Sequence, residues 1–417
     1  MNRGGGNPPV AQVPLRILFL NRFFYPDQSA TSQMLTDLAE ELALRGHAVT
    51  VVAGALTHGD APERLPVFET RRGIEIRRAR TTRFGRGGML ARLADYASFF
   101  PSAFLTSLRV PNVDVVVALS DPPLVSVLGA LAAKAKRARF VHWAHDIYPE
   151  VAVAAGLLKR NSPWTRALDR VSRWALSRAD RVVALGEDMA RRLAEKGVDR
   201  DKISVIPNWA DGRAIRPCPI EENGFRREQG WNGKFVVMYS GNIGVAHDFR
   251  PLLDAAKRMS GDGTVLFAFV GGGSRLPEVR AYVSENGLPN VVFLPHQDRG
   301  LLSRTLTAAD LHFVSLAREM KGLVVPSKLY GAMAAGRPIL FLGPLDSDIA
   351  GTIEEGGFGA TAGDGPAVED AIRRLAADGA LYRSMGRKAR DVFEAAFTRE
   401  KCIAAFEAEI AETADAG

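Results

Sequence analysis

The feature that most constrains this chain is a repeated order: a short apolar run, a polar or glycine-bearing loop, a helical stretch, then another apolar run. Ile17–Asn21 is the first run. It is followed by the loop RFFYPDQSAT, a helix over about Ser32–Arg45 closed by Gly46, and a second run at His47–Gly54. Runs that are apolar throughout are strands buried on both faces, and helices between them mark a parallel, doubly wound sheet. Further strands are expected at Val113–Ser120, Phe140–Ala144, Arg181–Gly186 and Lys202–Asp211. The order restarts at Phe235–Gly244 and continues through Thr264–Arg275, Asn290–His296, LHFVSL and Pro338–Gly343. Between the two series, Asp211, Gly212, Pro217, Pro219 and Gly224 make a turn-rich segment that reads as a linker. With 417 residues the chain exceeds one core. The expected class is therefore α/β, with two doubly wound domains at 15–210 and 225–392, a linker at 211–224 and a tail at 393–417. Residues 1–14, rich in Gly and Pro and lacking a signal-peptide apolar core, read as a disordered lead.

A net charge of +7 points to an anionic partner: nucleic acid, a membrane surface or phosphorylated substrates. Cys218 and Cys402 lie far apart and suggest neither a disulfide framework nor a zinc site, which fits a reducing compartment. No run is long and apolar enough to span a membrane. Arginines crowd one stretch, from Arg71, Arg72, Arg77, Arg78 and Arg80 to Arg83, Arg86 and Arg92, ahead of an aromatic helical segment ending near Phe104 and Leu105. That pattern suits an anionic membrane surface, each Arg contributing roughly 1 kcal/mol. It equally suits a solvated basic edge before an amphipathic core helix. The stretch carries no motif of a nucleic-acid reader, so nucleic acid is not expected as a partner.

The residues with the most chemistry run from Glu319 to Pro338, EMKGLVVPSKLYGAMAAGRP. Gly322 would let backbone approach a ligand, and Ser327 would cap a helix over Lys328 to about Ala335 that stops at Gly336. A helix N-terminus with Lys328 beside it suits an anion, and Glu319 suits sugar hydroxyls. The alternative is an ordinary capped core helix. Two more strand ends carry glycine loops, at Gly241, Asn242 and Gly244 and at Gly272 and Gly273 with Arg275. In the first half, the strand ending at Ala144 delivers His145, Asp146 and Glu150 where such sheets keep their chemistry. His145 would serve as base or hydrogen-bond partner, oriented by Asp146 or Glu150. Tyr25, Ser29 and Ala30 would face the cleft and, with Glu150, bind the acceptor, while Phe23 and Phe24 read as core. The first loop lacks G-x-G-x-x-G, which argues against a dehydrogenase.

Together, FFYPDQSATSQMLTDLAEELALRGHAVTVVAG, HDIYPE, VIPNWAD, YSGNIG, FVGGGSR, NVVFLP and the Glu319 stretch resemble the family 4 retaining glycosyltransferases of the two-Rossmann-domain GT-B fold. The PSK form is similar to the bacterial branch that builds surface polysaccharides. The resemblance implies UDP- or GDP-sugar binding in the C-terminal domain, acceptor binding in the N-terminal domain, a last helix that crosses back onto it, and transfer with retention and no metal or other cofactor. It implies that His145 contacts the transferred sugar and that Glu319 holds its hydroxyls. It also implies that backbone from Gly322 through Leu323 to Val324 approaches sugar and phosphates. Several positions depart from the family: Ser29-Ala30 stand where Gly-Gly is usual, where a second acid is usual there is Ser327 or Gly331, and Asn242 and Val245 stand where Arg and Lys are common. Diphosphate charge then falls to Lys328, Arg275 or Lys321. The expected protein is a cytoplasmic enzyme, peripheral to the inner membrane face, that moves a sugar to a lipid-linked or glycan acceptor. Its alternatives are a GT-B nucleotide-sugar epimerase and a weakly catalytic nucleotide-sugar-binding partner of a glycan assembly complex.

Overall fold

The computed structural model describes residues 13–57, 63–82, 84 and 89–416. Two sheets organise them. The first contains β1 (Arg16–Leu20), β2 (Ala48–Gly54), β3 (Phe68–Arg71), β4 (Ile74–Ala79), β5 (Val115–Ala118), β6 (Arg139–Trp143), β7 (Arg181–Ala184) and β8 (Ile203–Val205). Their order is β3-β4-β2-β1-β5-β6-β7-β8. The second contains β9 (Phe235–Ser240), β10 (Val265–Val270), β11 (Val291–Leu294), β12 (Leu311–Ser315), β13 (Ile339–Leu342) and β14 (Gly359–Ala362), ordered β11-β10-β9-β12-β13-β14. Only β3 runs antiparallel to its neighbour. This is the expected α/β class, with two parallel-sheet domains.

Helices cover the sheet faces. Those of the first half are α1 (Ala30–Leu44), α2 (Met89–Leu108), α3 (Val125–Lys136), α4 (Glu150–Ala154), α5 (Pro163–Ser177) and α6 (Glu187–Glu195). The second half has α7 (Gly224–Glu228), α8 (Arg250–Arg258), α9 (Leu276–Glu285), α10 (Leu302–Leu306) and α11 (Lys328–Ala334). There follow α12 (Asp348–Gly356), α13 (Gly365–Ala377), α14 (Gly379–Ala396) and α15 (Arg399–Asp415). The sandwiching explains the sequence: all of VLFAFV in β10 is buried, which only helices on both sides allow. No helix among the described residues is long and apolar enough to cross a membrane.

The arginine-rich stretch is not the free basic edge its composition suggests. It opens as the β3–β4 hairpin, whose β4 buries Ile74 and Ile76 and sends the intervening charges the other way. Arg71 and Arg72 pair with Glu40 at 3.2 and 2.7 Å, and Arg77 pairs with Glu75. Arg78 is fully buried against Glu69 and the Tyr25 carbonyl. Arg80 is exposed. Arg83, Arg86 and the side chain of Arg92 lie outside the described residues, as do residues 1–12 of the expected lead.

The tail divides differently from the expected 393 boundary. Phe393, on α14, belongs to the core of the second sheet. Cys402, Ile403, Phe406 and Ile410, on α15, belong to the core of the first. The chain crosses between them beside the linker, where Ala210 donates to the Phe397 carbonyl at 3.4 Å and accepts from the Arg399 amide at 3.1 Å.

Candidate functional site

Strand order reverses between β1 and β5 in the first sheet and between β9 and β12 in the second. The crevice at such a switch point, beyond the strand C-termini, is where doubly wound sheets bind ligands. In the second sheet the loops after β9 and β12 frame that crevice, and Lys328 from the start of α11 reaches into it. Its ammonium donates to His247 Nε2 at 3.1 Å and lies 5.0 Å from the Tyr239 ring centre. His247 Nδ1 donates to the Ser315 carbonyl at 2.6 Å, which fixes the tautomer so that Nε2 accepts from lysine. Burial, and then Lys328 itself, pull the His247 pKa down to about 3, so its ring is neutral. Burial pulls Lys328 down to about 8. Among the described residues no carboxylate lies within ion-pair reach of this lysine. A desolvated cation held only by neutral groups calls for an anion. Gly241 makes room for it: φ is +132°, and a Cβ there would come within 2.8 Å of Lys328 Cε.

The first sheet supplies the facing wall. The loop after β6 meets the loop after β12: Asp146 and Val324 form an antiparallel bridge, and Ile147 N donates to the Leu323 carbonyl at 3.1 Å. His145 and Asp146 are thereby brought beside the stretch that carries Lys328. Ser120 Oγ accepts from the amides of both, at 2.8 and 3.3 Å. The His145 ring packs against Trp143 in a tilted arrangement, 4.6 Å between centres, and its Nε2 is buried with no hydrogen-bond partner. Burial, reinforced by His142, lowers its pKa to about 3. Among the described residues neither Asp146 nor Glu150 bonds to the ring, and of the two roles read from the sequence, base or hydrogen-bond partner, a neutral ring suits the second.

Asp146 sits near Asp121, the end of the loop after β5. Burial, then Asp121, raises Asp146 to about 7; burial raises Asp121 to about 6, against the pull of Arg22. A carboxyl raised above its unfolded value of 3.8 costs stability as pH climbs between the two values. Asp146→Asn should therefore gain stability over the native chain by about 1–3 kcal/mol more at pH 8 than at pH 4.5. Urea unfolding at both pH values measures this. A pH-independent difference would show that the carboxyl is not strained.

Residues 29–209 match the glycosyl transferase 4-like domain, and residues 234–378 match the glycosyl transferases group 1 domain. The chain belongs to the family 4 glycosyltransferases. The enzyme is 29% identical over 344 residues to the probable glycosyltransferase WbjE of Pseudomonas aeruginosa, covering 82% of this chain and 84% of that one. It is 25% identical over 341 residues to the putative colanic acid biosynthesis glycosyl transferase WcaI of Escherichia coli K12, covering 77% and 82% of the two chains. Among solved structures, Anabaena Alr3699/HepE in complex with UDP superposes with a TM-score of 0.71 at 18% identity, covering 97% of this chain and all of that one. The fold is thus shared with GT-B enzymes.

Several residues read as binding the donor are committed elsewhere in the enzyme. Arg275 forks onto Glu278 and donates to the His247 carbonyl at 2.7 Å, so it braces the loop that holds the Lys328 partner. Lys321 pairs with Asp346 at 2.7 Å and lies 3.7 Å from Asp188. Gly322 does adopt φ of +72°, but the backbone it approaches is that of α6: a Cβ would lie 2.7 Å from the Asp188 carbonyl. Ser327 occupies the N-cap position without a side-chain capping bond. Gly272 accepts from Ile243 N at 2.7 Å, so the two glycine loops lean on one another. A Cβ on Gly273 would strike the Ile243 carbonyl and the side chain of Asn242, which is itself exposed beside Gly244. Glu319 is exposed on the 3₁₀ turn Arg318–Met320. Where a second acid was sought, Gly331 faces Leu306.

The residues read as binding the acceptor scatter more. Tyr25 lies on the rim of the first sheet, with the Arg71 guanidinium 3.6 Å over its ring. Ser29 caps the start of α1 by position, with its Oγ buried and unpaired, and Ala30 begins that helix, exposed. Glu150 is tied to the buried Lys196 at 2.5 Å, which pins α4 to α6 and also holds Asp169. His247 was not anticipated. Its one signal is position, a histidine just past the glycine loop of β9. No group of three or more His, Cys, Asp or Glu among the described residues is arranged to hold a metal ion.

Proposed function

We propose that the enzyme transfers a sugar, with retention at the anomeric carbon, from a UDP- or GDP-linked donor to a lipid-linked or glycan acceptor of bacterial surface polysaccharide. The observation that carries this reading is Lys328, a desolvated ammonium at the switch point of the second sheet with neutral partners only. Breaking the bond from sugar to diphosphate builds negative charge on the leaving group, and a preorganised cation there lowers the barrier. His145 Nε2 offers its unsatisfied nitrogen to a hydroxyl of the transferred sugar, and Glu319 offers an exposed carboxylate. Leu323 and Val324 present backbone to the sugar, and Gly241 to Gly244 lie along the phosphates. The acceptor enters over the first sheet, past Tyr25, Asp121 and Asp146, on the cytoplasmic face of the membrane. The colanic acid relative and the UDP complex of the structural neighbour support the substrate class. No step assigned here needs a metal.

The test is calorimetric and thermal-shift titration with UDP, GDP and their sugar conjugates. One diphosphate is expected to bind preferentially, and at a hundredfold excess over Kd it should stabilise the fold by about 2.7 kcal/mol. Failure of every one of them to bind would overturn the reading. Conversion of the donor to an epimer without acceptor would replace transfer with epimerisation.

A further inference from the structure

The chain has five tryptophans. Trp143, Trp209 and Trp231 are buried, whereas Trp164 is 78% and Trp174 39% exposed. Both exposed rings stand on α5. Large aromatic side chains are rarely left to solvent without a use. Along α5 and its C-cap, Trp164, Ala167, Val171, Trp174 and Arg178 follow one another at steps of three and four residues, which sets them in one stripe. Val171 is 40% exposed, and Leu157, just ahead of the helix, is 61% exposed. The opposite face of α5 is already used: Thr165, Ser172, Ala175 and Leu176 are buried, and Ser172 Oγ donates to the Tyr148 carbonyl at 2.8 Å. The helix therefore has a second apolar face, and none of the described residues covers it.

Its charge is one-sided. Lys159 and Arg160 precede the helix, Arg166 and Arg170 lie on its exposed surface, and Arg178 stands 5.9 Å from the Trp174 ring. Asp169 is the one acid of the helix, and it is taken by Lys196 at 2.6 Å and Arg173 at 2.8 Å. Exposed indoles set among unpaired guanidiniums suit an anionic bilayer, where rings rest at headgroup depth and cations meet phosphates. A second copy of the same face would bring like charges together.

We propose that the outer face of α5, rather than the arginine-rich hairpin, seats the enzyme on an anionic lipid surface. Through Ser172 and Tyr148 the same helix carries the loop of His145 and Asp146, so docking here sets the acceptor wall of the cleft beside the bilayer. The proposal is independent of the transfer reading, because lipid binding is read without turnover.

The experiment is co-sedimentation of the full chain with phosphatidylcholine vesicles, with and without phosphatidylglycerol, alongside tryptophan emission. Binding and a blue shift are expected on the anionic vesicles. The double variant Trp164→Ser, Trp174→Ser should bind them at least about tenfold more weakly, a loss of about 1.4 kcal/mol, with its circular dichroism and nucleoside diphosphate affinity intact. Arg166→Glu with Arg170→Glu should weaken binding to the anionic vesicles, whereas Arg80→Glu on the hairpin should not. The proposal fails if the chain ignores anionic vesicles or if the serine variant binds as the native chain does. It also fails if Arg80→Glu alone abolishes binding, or if the serine variant instead dissolves a concentration-dependent dimer of the native chain.

Discussion

Replacing Lys328 by methionine is expected to lower kcat/KM for the nucleotide sugar about 10²–10³-fold, equivalent to about 2.7–4 kcal/mol of lost leaving-group stabilisation. Methionine keeps the apolar stem that packs over Gly241, so the loss isolates the charge. The magnitude follows from the partners. His247 Nε2 and the Tyr239 ring can orient the ammonium but do not neutralise it, so its charge is directed outward to whatever anion enters. Arg275 and Lys321 cannot replace it without breaking pairs with Glu278 and Asp346. The pH dependence gives a second readout. Lys328 is charged below about 8, so diphosphate affinity in the native enzyme should hold near pH 7 and fall as pH rises past that value. In the methionine variant the fall should vanish. Equal affinity in the two proteins at pH 7 would remove Lys328 from the phosphate site.

His145→Ala is expected to cut kcat by about 10²-fold while donor affinity changes little. Burial, and then His142, hold the imidazole pKa down to about 3, so the ring is neutral near pH 7. The kcat profile should therefore show no inflection from His145 near the free-histidine value; limbs between about 6 and 8 belong to Asp121, Asp146 and Lys328. His145 also packs against Trp143, so thermal unfolding must accompany the kinetics to separate a loosened core from lost chemistry. Unchanged turnover in a folded variant would exclude the residue from the reaction.

The sheets were legible because parallel strands buried on both faces leave unbroken apolar runs, as RILFL and VLFAFV do. The β3–β4 hairpin hid for the opposite reason: on an edge, Ile74 and Ile76 alternate with charged residues, and the arginines dominated the reading. At the site, His145 and Lys328 stood out through their place after a strand or at a helix start. His247 did not, since its partners Ser315 and Lys328 lie 68 and 81 residues away. Glu150 misled for the same reason, its cation Lys196 being 46 residues on. Gly322 was rightly read as a place of close approach, but sequence alone cannot say whether ligand or protein approaches. The two exposed tryptophans of α5 looked like any helix of mixed composition until burial separated them from the other three.

The placement of α15 has a consequence for how the enzyme comes into being on the ribosome. Cys402, Ile403, Phe406 and Ile410 complete the core of the first sheet, although they follow the whole of the second sheet in the chain. The half that is synthesised first is therefore finished after the second has been made. Until α15 emerges, the nascent chain carries an apolar gap beside Trp143, against whose ring Phe406 packs at 4.7 Å, while the second half can close on its own core. The first core thus waits on the second half: it becomes complete only once α15, which follows the whole of the second sheet in the chain, has emerged.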